Sequence, residues 1–160
     1  MNDAIQKAID ELKAAFPPHP LNTESEPANW DEFCVDGKSF KKEAHGKRWD
    51  ELSPGFLEFH REVLVYFAPL ALVEVIPAYL AVALQRCPEL DMIPTFLLGE
   101  LWPREDGKRF VGFYSRLTPA QRQAIAHALA AWAAALEDRP RLRAEVEGAA
   151  QYWQTIRSGQ

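Results

Sequence analysis

The chain has 160 residues, 48% of them apolar and 26% charged, and its 18 basic against 23 acidic side chains leave a net charge of -5. This is the composition of one globular domain spanning 1–160, long enough to bury a core without disulfide or metal support. The acidic balance argues against nucleic acid as a partner, because nucleic acid needs a basic face. The two cysteines, Cys34 and Cys87, lack metal-ligand spacing and read as free, mostly buried thiols in a reducing compartment. The expected location is therefore cytoplasmic, with no cofactor and no metal.

The opening stretch MNDAIQKAIDELKAAF interleaves charges with apolar residues, so it is not read as a signal peptide. It is predicted to be a helix over about Asp3–Phe16, because Ile5, Ile9, Leu12 and Phe16 share one face. Pro17, Pro18 and Pro20 end it. Residues 17–48 read as a long irregular segment with one short helix near Trp30–Cys34, and loops of that length are often functional. Ser53 is a good N-cap, Pro54 suits the first helical position, and Leu52 can pack on Leu57 as a staple. Phe56, Phe59/His60, Val63, Leu64 and Phe67 then form a buried stripe.

Two short helices are predicted next, one opened by Pro69 through about Ile76 and one opened by Pro77 through about Arg86. From Val63 to Leu84 the only charge is Glu74, and the length would span a bilayer. Pro69, Pro77 and Glu74 interrupt that run, so the reading is a buried core and no membrane partner. Asp91 can cap a helix through Gly99, and residues 103–116 read as a loop with an extended piece, Phe110–Tyr114. Thr118, Pro119 and Gln121 form a capping box for a helix facing inward through Ile125, Leu129, Trp132 and Leu136. Pro140 opens the last helix, with Leu142, Val146, Ala149, Trp153 and Ile156 on one face. No stretch sustains a period of two, so the expected fold is all-α: a single compact domain of five to seven helices, with the long irregular segment after the first.

Several strings, taken in order, resemble a known group. They are Ala15-Phe16-Pro17, Gly46-Lys47-Arg48-Trp49-Asp50-Glu51-Leu52, Phe67-Ala68-Pro69, Ile76-Pro77-Ala78-Tyr79-Leu80, Leu117-Thr118-Pro119-Ala120-Gln121 and Tyr152-Trp153. Together they are similar to an uncharacterised family of small bacterial proteins, the domain of unknown function 6714, over nearly the whole chain. The resemblance implies a helical fold and a bacterial source, and no activity. More loosely, such proteins are similar in size and character to immunity proteins that neutralise a cognate toxin.

Candidate chemistry is sparse. Glu58 and Glu62 share a helical face while His60 points elsewhere, which reads as a solvated acidic face beside a half-buried histidine. His127 has no carboxylate within one turn, and His19 and His45 sit in loops without visible partners. Glu74 either turns outward or is buried against Arg86 or Arg116, where a raised pKa would make it a general-acid candidate. Arg139, Arg141 and Arg143 open the last helix and are expected to pair with Glu137, Asp138, Glu145 and Glu147. No phosphate cradle or nucleophile elbow occurs.

The least ordinary feature lies in the irregular segment. Residues 1–36 carry eight acids against two bases. Glu24, Glu26, Asp31, Glu32 and Asp36 stand there with Trp30 and Phe33 among them. Acids around aromatic anchors suit docking to a basic protein, so Glu24, Glu26, Trp30, Asp31, Glu32 and Asp36 form the candidate partner-binding segment. The alternative is a solvated loop with Trp30 packed inward. The sequence thus points to a non-catalytic protein-binding domain of immunity type, with a basic toxin domain as partner. One rival is a small enzyme assembled in space near Glu74 and His60. Another is a helical domain that dimerises through its alanine-rich helix.

Overall fold

The computed structural model describes residues 2–24, 30, 35–86, 92–103 and 107–158. Among these, eight α-helices follow in order: α1 (Asp3–Ala15), α2 (Val35–Ala44), α3 (Pro54–Phe59), α4 (Pro69–Arg86), α5 (Ile93–Leu101), α6 (Lys108–Tyr114), α7 (Pro119–Ala134) and α8 (Pro140–Ser158). Two 3-10 turns, Trp49–Glu51 and Arg61–Val65, join them, and no strand occurs among the described residues. The all-α expectation stands, with one helix more than the upper end of the predicted range. Cys34, Cys87 and Asp91 lie outside the described residues.

Helix α4 is the centre. It is apolar on nearly every side and buries Leu72, Val75, Ile76, Tyr79, Leu80 and Leu84. Helices α1, α5, α6 and α7 all pack on it, and α8 packs chiefly on α7 and also against α5. Among the described residues it is the one helix long and apolar enough to cross a membrane, yet 67% of its most apolar window is buried inside the fold. Pro77 does not start a second helix; it sits inside α4. An interior proline removes one backbone hydrogen bond and costs about 3 kcal/mol in an open helix. Burial on all sides outweighs that here.

The caps read from sequence are in place. Ser53 accepts from Phe56 N at 3.1 Å. Thr118 Oγ1 accepts from Gln121 N at 3.2 Å, while Gln121 Oε1 accepts from Thr118 N at 2.9 Å. Two indoles tie distant elements together: Trp49 Nε1 donates to Phe16 O at 2.8 Å and Trp153 Nε1 to Leu101 O at 2.7 Å.

Three local expectations are corrected. The segment after α1 holds a helix that the sequence reading did not place, α2 over residues 35–44, while the helix expected near Trp30–Cys34 falls on residues that, Trp30 apart, lie outside the described ones. Among the described residues of α2, Phe40 and Ala44 are the fully buried apolar side chains, at helical spacing in a largely polar run, so its periodicity is weak. Gly46, at φ +77°, turns the chain out of α2 in a conformation glycine adopts without strain, and its N–H donates to Leu21 O at 2.8 Å. The Phe110–Tyr114 piece is helical, not extended. Its Phe110, Phe113 and Tyr114 rings surround Trp153, with ring centres 5.6, 6.4 and 5.4 Å away, and that packing overrides the strand preference of the residues. Lastly, the stripe from Phe56 to Phe67 is broken: α3 ends at His60 and a 3-10 turn follows.

Gly148, midway along α8, lies directly under Trp102. A Cβ there would stand 2.5 Å from Trp102 Cη2. Gly148→Ala should therefore destabilise by about 1–3 kcal/mol, as overpacking does. In a Trp102→Ala background the same change should be neutral or stabilising by up to about 1 kcal/mol, because alanine is the better helix former. Denaturant unfolding of the four proteins reads this; equal effects in both backgrounds would refute the contact.

Candidate functional site

The turn between α3 and α4 is built inside out. Leu57, His60, Val63, Leu64 and Phe67 face the core, and His60 is only 1% exposed. Its ring packs against Phe40, Phe56 and Phe59, with centres 5.6, 4.5 and 4.9 Å apart. Tyr79 of α4 donates its hydroxyl hydrogen to His60 O at 2.8 Å, which holds the chain where α3 breaks. Burial raises the Tyr79 pKa far above the ordinary phenol value, and the nearby Glu58 charge pushes the same way. Glu58 Oε1 accepts from Met92 N at 3.3 Å, and Arg61 Nη1 donates to Glu58 O at 2.8 Å. His60, Glu58 and Arg61 are thus drawn inward, while Glu62 is exposed.

Large apolar side chains point outward. Phe59 is 67% exposed, Tyr66 56%, Val65 40% and Leu70 42%, and Val111 of α6 is 64% exposed. Within the 3-10 turn, Glu62 and Val65 are three apart, share one row and are both exposed. Helix α6 is fastened alongside by Arg109, whose Nε donates to Glu100 Oε2 at 2.8 Å and whose Nη2 donates to Leu64 O at 2.7 Å. Three residues on, Gly112 lies against Pro69, where an added Cβ would be 3.2 Å from Pro69 Cγ. Val111, next to Gly112, therefore lies near Pro69 at the start of α4, and Phe59, Val65, Tyr66, Leu70 and Val111 are read together as one outward strip. The sequence left Phe59 or His60 for one position of the buried stripe; His60 takes it and Phe59 faces outward.

The sequence-predicted partner segment is only partly described. Glu26, Asp31, Glu32 and the side chain of Asp36 lie outside the described residues. Glu24 is exposed, with Oε2 4.0 Å from His45 Nε2. Trp30 is not an exposed anchor: it is 5% exposed, with its ring centre 5.2 Å from that of Phe67 and 6.1 Å from that of Phe40. An indole among these rings is a core residue, so the inward-packed alternative is the observed one.

The remaining candidates do not assemble a catalytic set. Glu74 pairs with His19, at 2.9 Å, and its side chain is a third exposed, so neither Arg86 nor Arg116 is its partner in an ion pair. Glu74 and Tyr79 are five positions apart on α4, about 140° around the helix, so Glu74 points away from the His60 region. His127 Nδ1 lies 2.7 Å from Glu11 Oε2, a pairing across 116 positions that no local spacing reveals. Arg141 and Arg143 pair with Glu145 and Glu147 as expected. No group of three His, Cys, Asp or Glu side chains able to hold a metal occurs among the described residues.

Residues 7–157 match the sequence model of a family of unknown function, DUF6714. No curated protein and no solved structure matches the chain.

Two measurements test the buried groups around the strip. Burial pushes the Glu100 carboxyl above the ordinary carboxylate value, and Arg109 only partly opposes this. The folded state then holds its proton to higher pH than the unfolded state, so stability falls as pH rises from the ordinary value through the raised one. Glu100→Gln should flatten that part of the stability–pH curve; an unchanged slope would count against the raised carboxyl. Trp30→Ala should lower stability by about 3–5 kcal/mol, as loss of a buried ring does. An unchanged melting temperature would put the ring outside the core.

Proposed function

We propose that this chain, which belongs to the family of unknown function DUF6714, is a non-catalytic protein-binding domain. The observation that carries this reading is the outward strip of Phe59, Val65, Tyr66, Leu70 and Val111. Scattered exposed apolar residues need no explanation, but a contiguous set marks a surface that another molecule covers. The strip rests on a turn held from beneath by Tyr79 and Arg109, so it is presented in a fixed shape, which lowers the ordering cost of binding. The specific form we propose is an immunity-type, cytoplasmic protein that neutralises a basic toxin domain. The acid-rich first 36 residues support a basic partner, since opposite charge speeds encounter.

The test is affinity capture from cells of the source, with mass spectrometry, using the wild type, a Tyr66→Glu/Leu70→Glu variant and an Asp31→Lys/Glu32→Lys/Asp36→Lys variant. A protein held by the wild type and lost from the strip variant is expected, with melting temperatures alike because the changed side chains are exposed. The charge-reversed variant should bind more slowly, most of all at low salt, since exposed charges are screened over roughly 8 Å at physiological salt. Identical protein sets on the wild type and the strip variant would overturn the binding reading. An unchanged association rate at low salt would remove the acidic segment from it.

A further inference from the structure

Arg109 reaches from α6 to the turn, and two acceptors fix its guanidinium there. Nε donates to Glu100 Oε2 at 2.8 Å, and Nη2 donates to Leu64 O at 2.7 Å. Leu64 O belongs to the peptide bond that leads into the exposed Val65. The guanidinium is planar and rigid, so Nη1 is carried to the same place on the surface. Nη1 makes no hydrogen bond among the described residues and is not enclosed, and the Arg109 side chain is 36% exposed. An arginine anchored on its inner side thus holds an open donor beside the backbone of Val65.

A side chain held in this way has already lost the freedom that an arginine otherwise gives up on binding. A molecule that covers Val65 takes Nη1 out of water, and a buried donor left without an acceptor is costly. The partner therefore has to bring an acceptor to that point. A carboxylate suits it best, because a hydrogen bond between ionised groups is about twice as strong as a neutral one. Arginine is also among the residue types that carry most of the energy of protein interfaces. We infer that Arg109 is a specificity-determining residue of the strip, and that the partner sets a carboxylate against its Nη1. This rests on the reading of the strip as a protein-binding face and names the group that the face recognises. The positive charge of the partner as a whole governs encounter, whereas one pair inside the covered area fixes register.

The probe is the protein that the wild type captures through the strip, with affinities measured by titration calorimetry. Glu100→Gln keeps an acceptor for Arg109 Nε and removes the competing negative charge, so it should bind at least as tightly as the wild type. If Arg109 only braced α6 against the turn, Glu100→Gln would weaken that brace and bind less tightly. Glu100→Gln/Arg109→Gln leaves no buried carboxylate unpaired and should bind about tenfold more weakly than Glu100→Gln. Arg109→Lys keeps the charge without the planar fork; it should also weaken binding, and it takes the place of the double variant if that does not fold. Each Asp and Glu of the captured protein is then changed to Asn or Gln. One of these changes should cost about tenfold against Glu100→Gln and little against the variant lacking Arg109, a coupling that an indirect effect on the fold does not produce. Weaker binding by Glu100→Gln, or no partner carboxylate coupled to Arg109, would overturn the inference. A protein lost from Tyr66→Glu/Leu70→Glu but indifferent to Arg109 leaves the binding face standing and removes the arginine from it. Should the wild type hold no protein through the strip, both fall.

Discussion

Helix α4 is apolar on nearly every side, with only its ends and Glu74 reaching water, and the rest of the chain is organised by that fact. An amphipathic helix needs cover along one stripe, whereas a helix apolar all round must be enclosed. The enclosure comes from four helices: α1 and α7, which also pack on each other, and α5 and α6. The α7–α8 hairpin brings Trp153 in as the second core, ringed by the aromatics of α6. Each fully buried Leu or Ile of α4 contributes about 1.5–3 kcal/mol. Leu72, Ile76, Leu80 and Leu84 together therefore exceed the penalty of Pro77 inside the helix.

Enclosing α4 at its N-terminal end demands a compact reversal of direction, and the 3-10 turn supplies it. The tighter turn rotates side chains by 120° per residue, against 100° in an α-helix. In that turn Val63 and Leu64 face inward while Glu62 and Val65 face outward. The inward groups are held by Tyr79 and Arg109, and of the outward groups Phe59 also packs on the buried His60 ring.

The N-terminal region is held to the body by pairs that reach across the chain. Glu11 meets His127, His19 meets Glu74, and Thr23 donates to Lys41 O at 2.8 Å beside His45. Partly exposed pairs of this kind add little stability, typically 0–1 kcal/mol each. Their effect is on position: they set how α1 and its following segment lie against α4 and α7. The acidic character of this region therefore belongs to a placed surface and not to a free tail up to Glu24.

Legible from the sequence alone were the features set by local chemistry. The caps at Ser53 and Thr118, the apolar faces of α1, α7 and α8, and the absence of sheet all follow from groups within a few positions of one another. The buried partners of Trp49 and Trp153 do not, nor do the carboxylates opposite His19 and His127, because contacts between distant positions leave no mark on spacing. Continuity of α4 through Pro77, the helical state of α6 and the core position of Trp30 were decided by tertiary packing. In each case a local preference of up to about 3 kcal/mol opposed burial of several large side chains, and burial outweighs it. The exposed apolar residues are of the same kind: Phe59, Val65, Tyr66, Leu70 and Val111 are core residues by type, and only the tertiary structure leaves them at the surface.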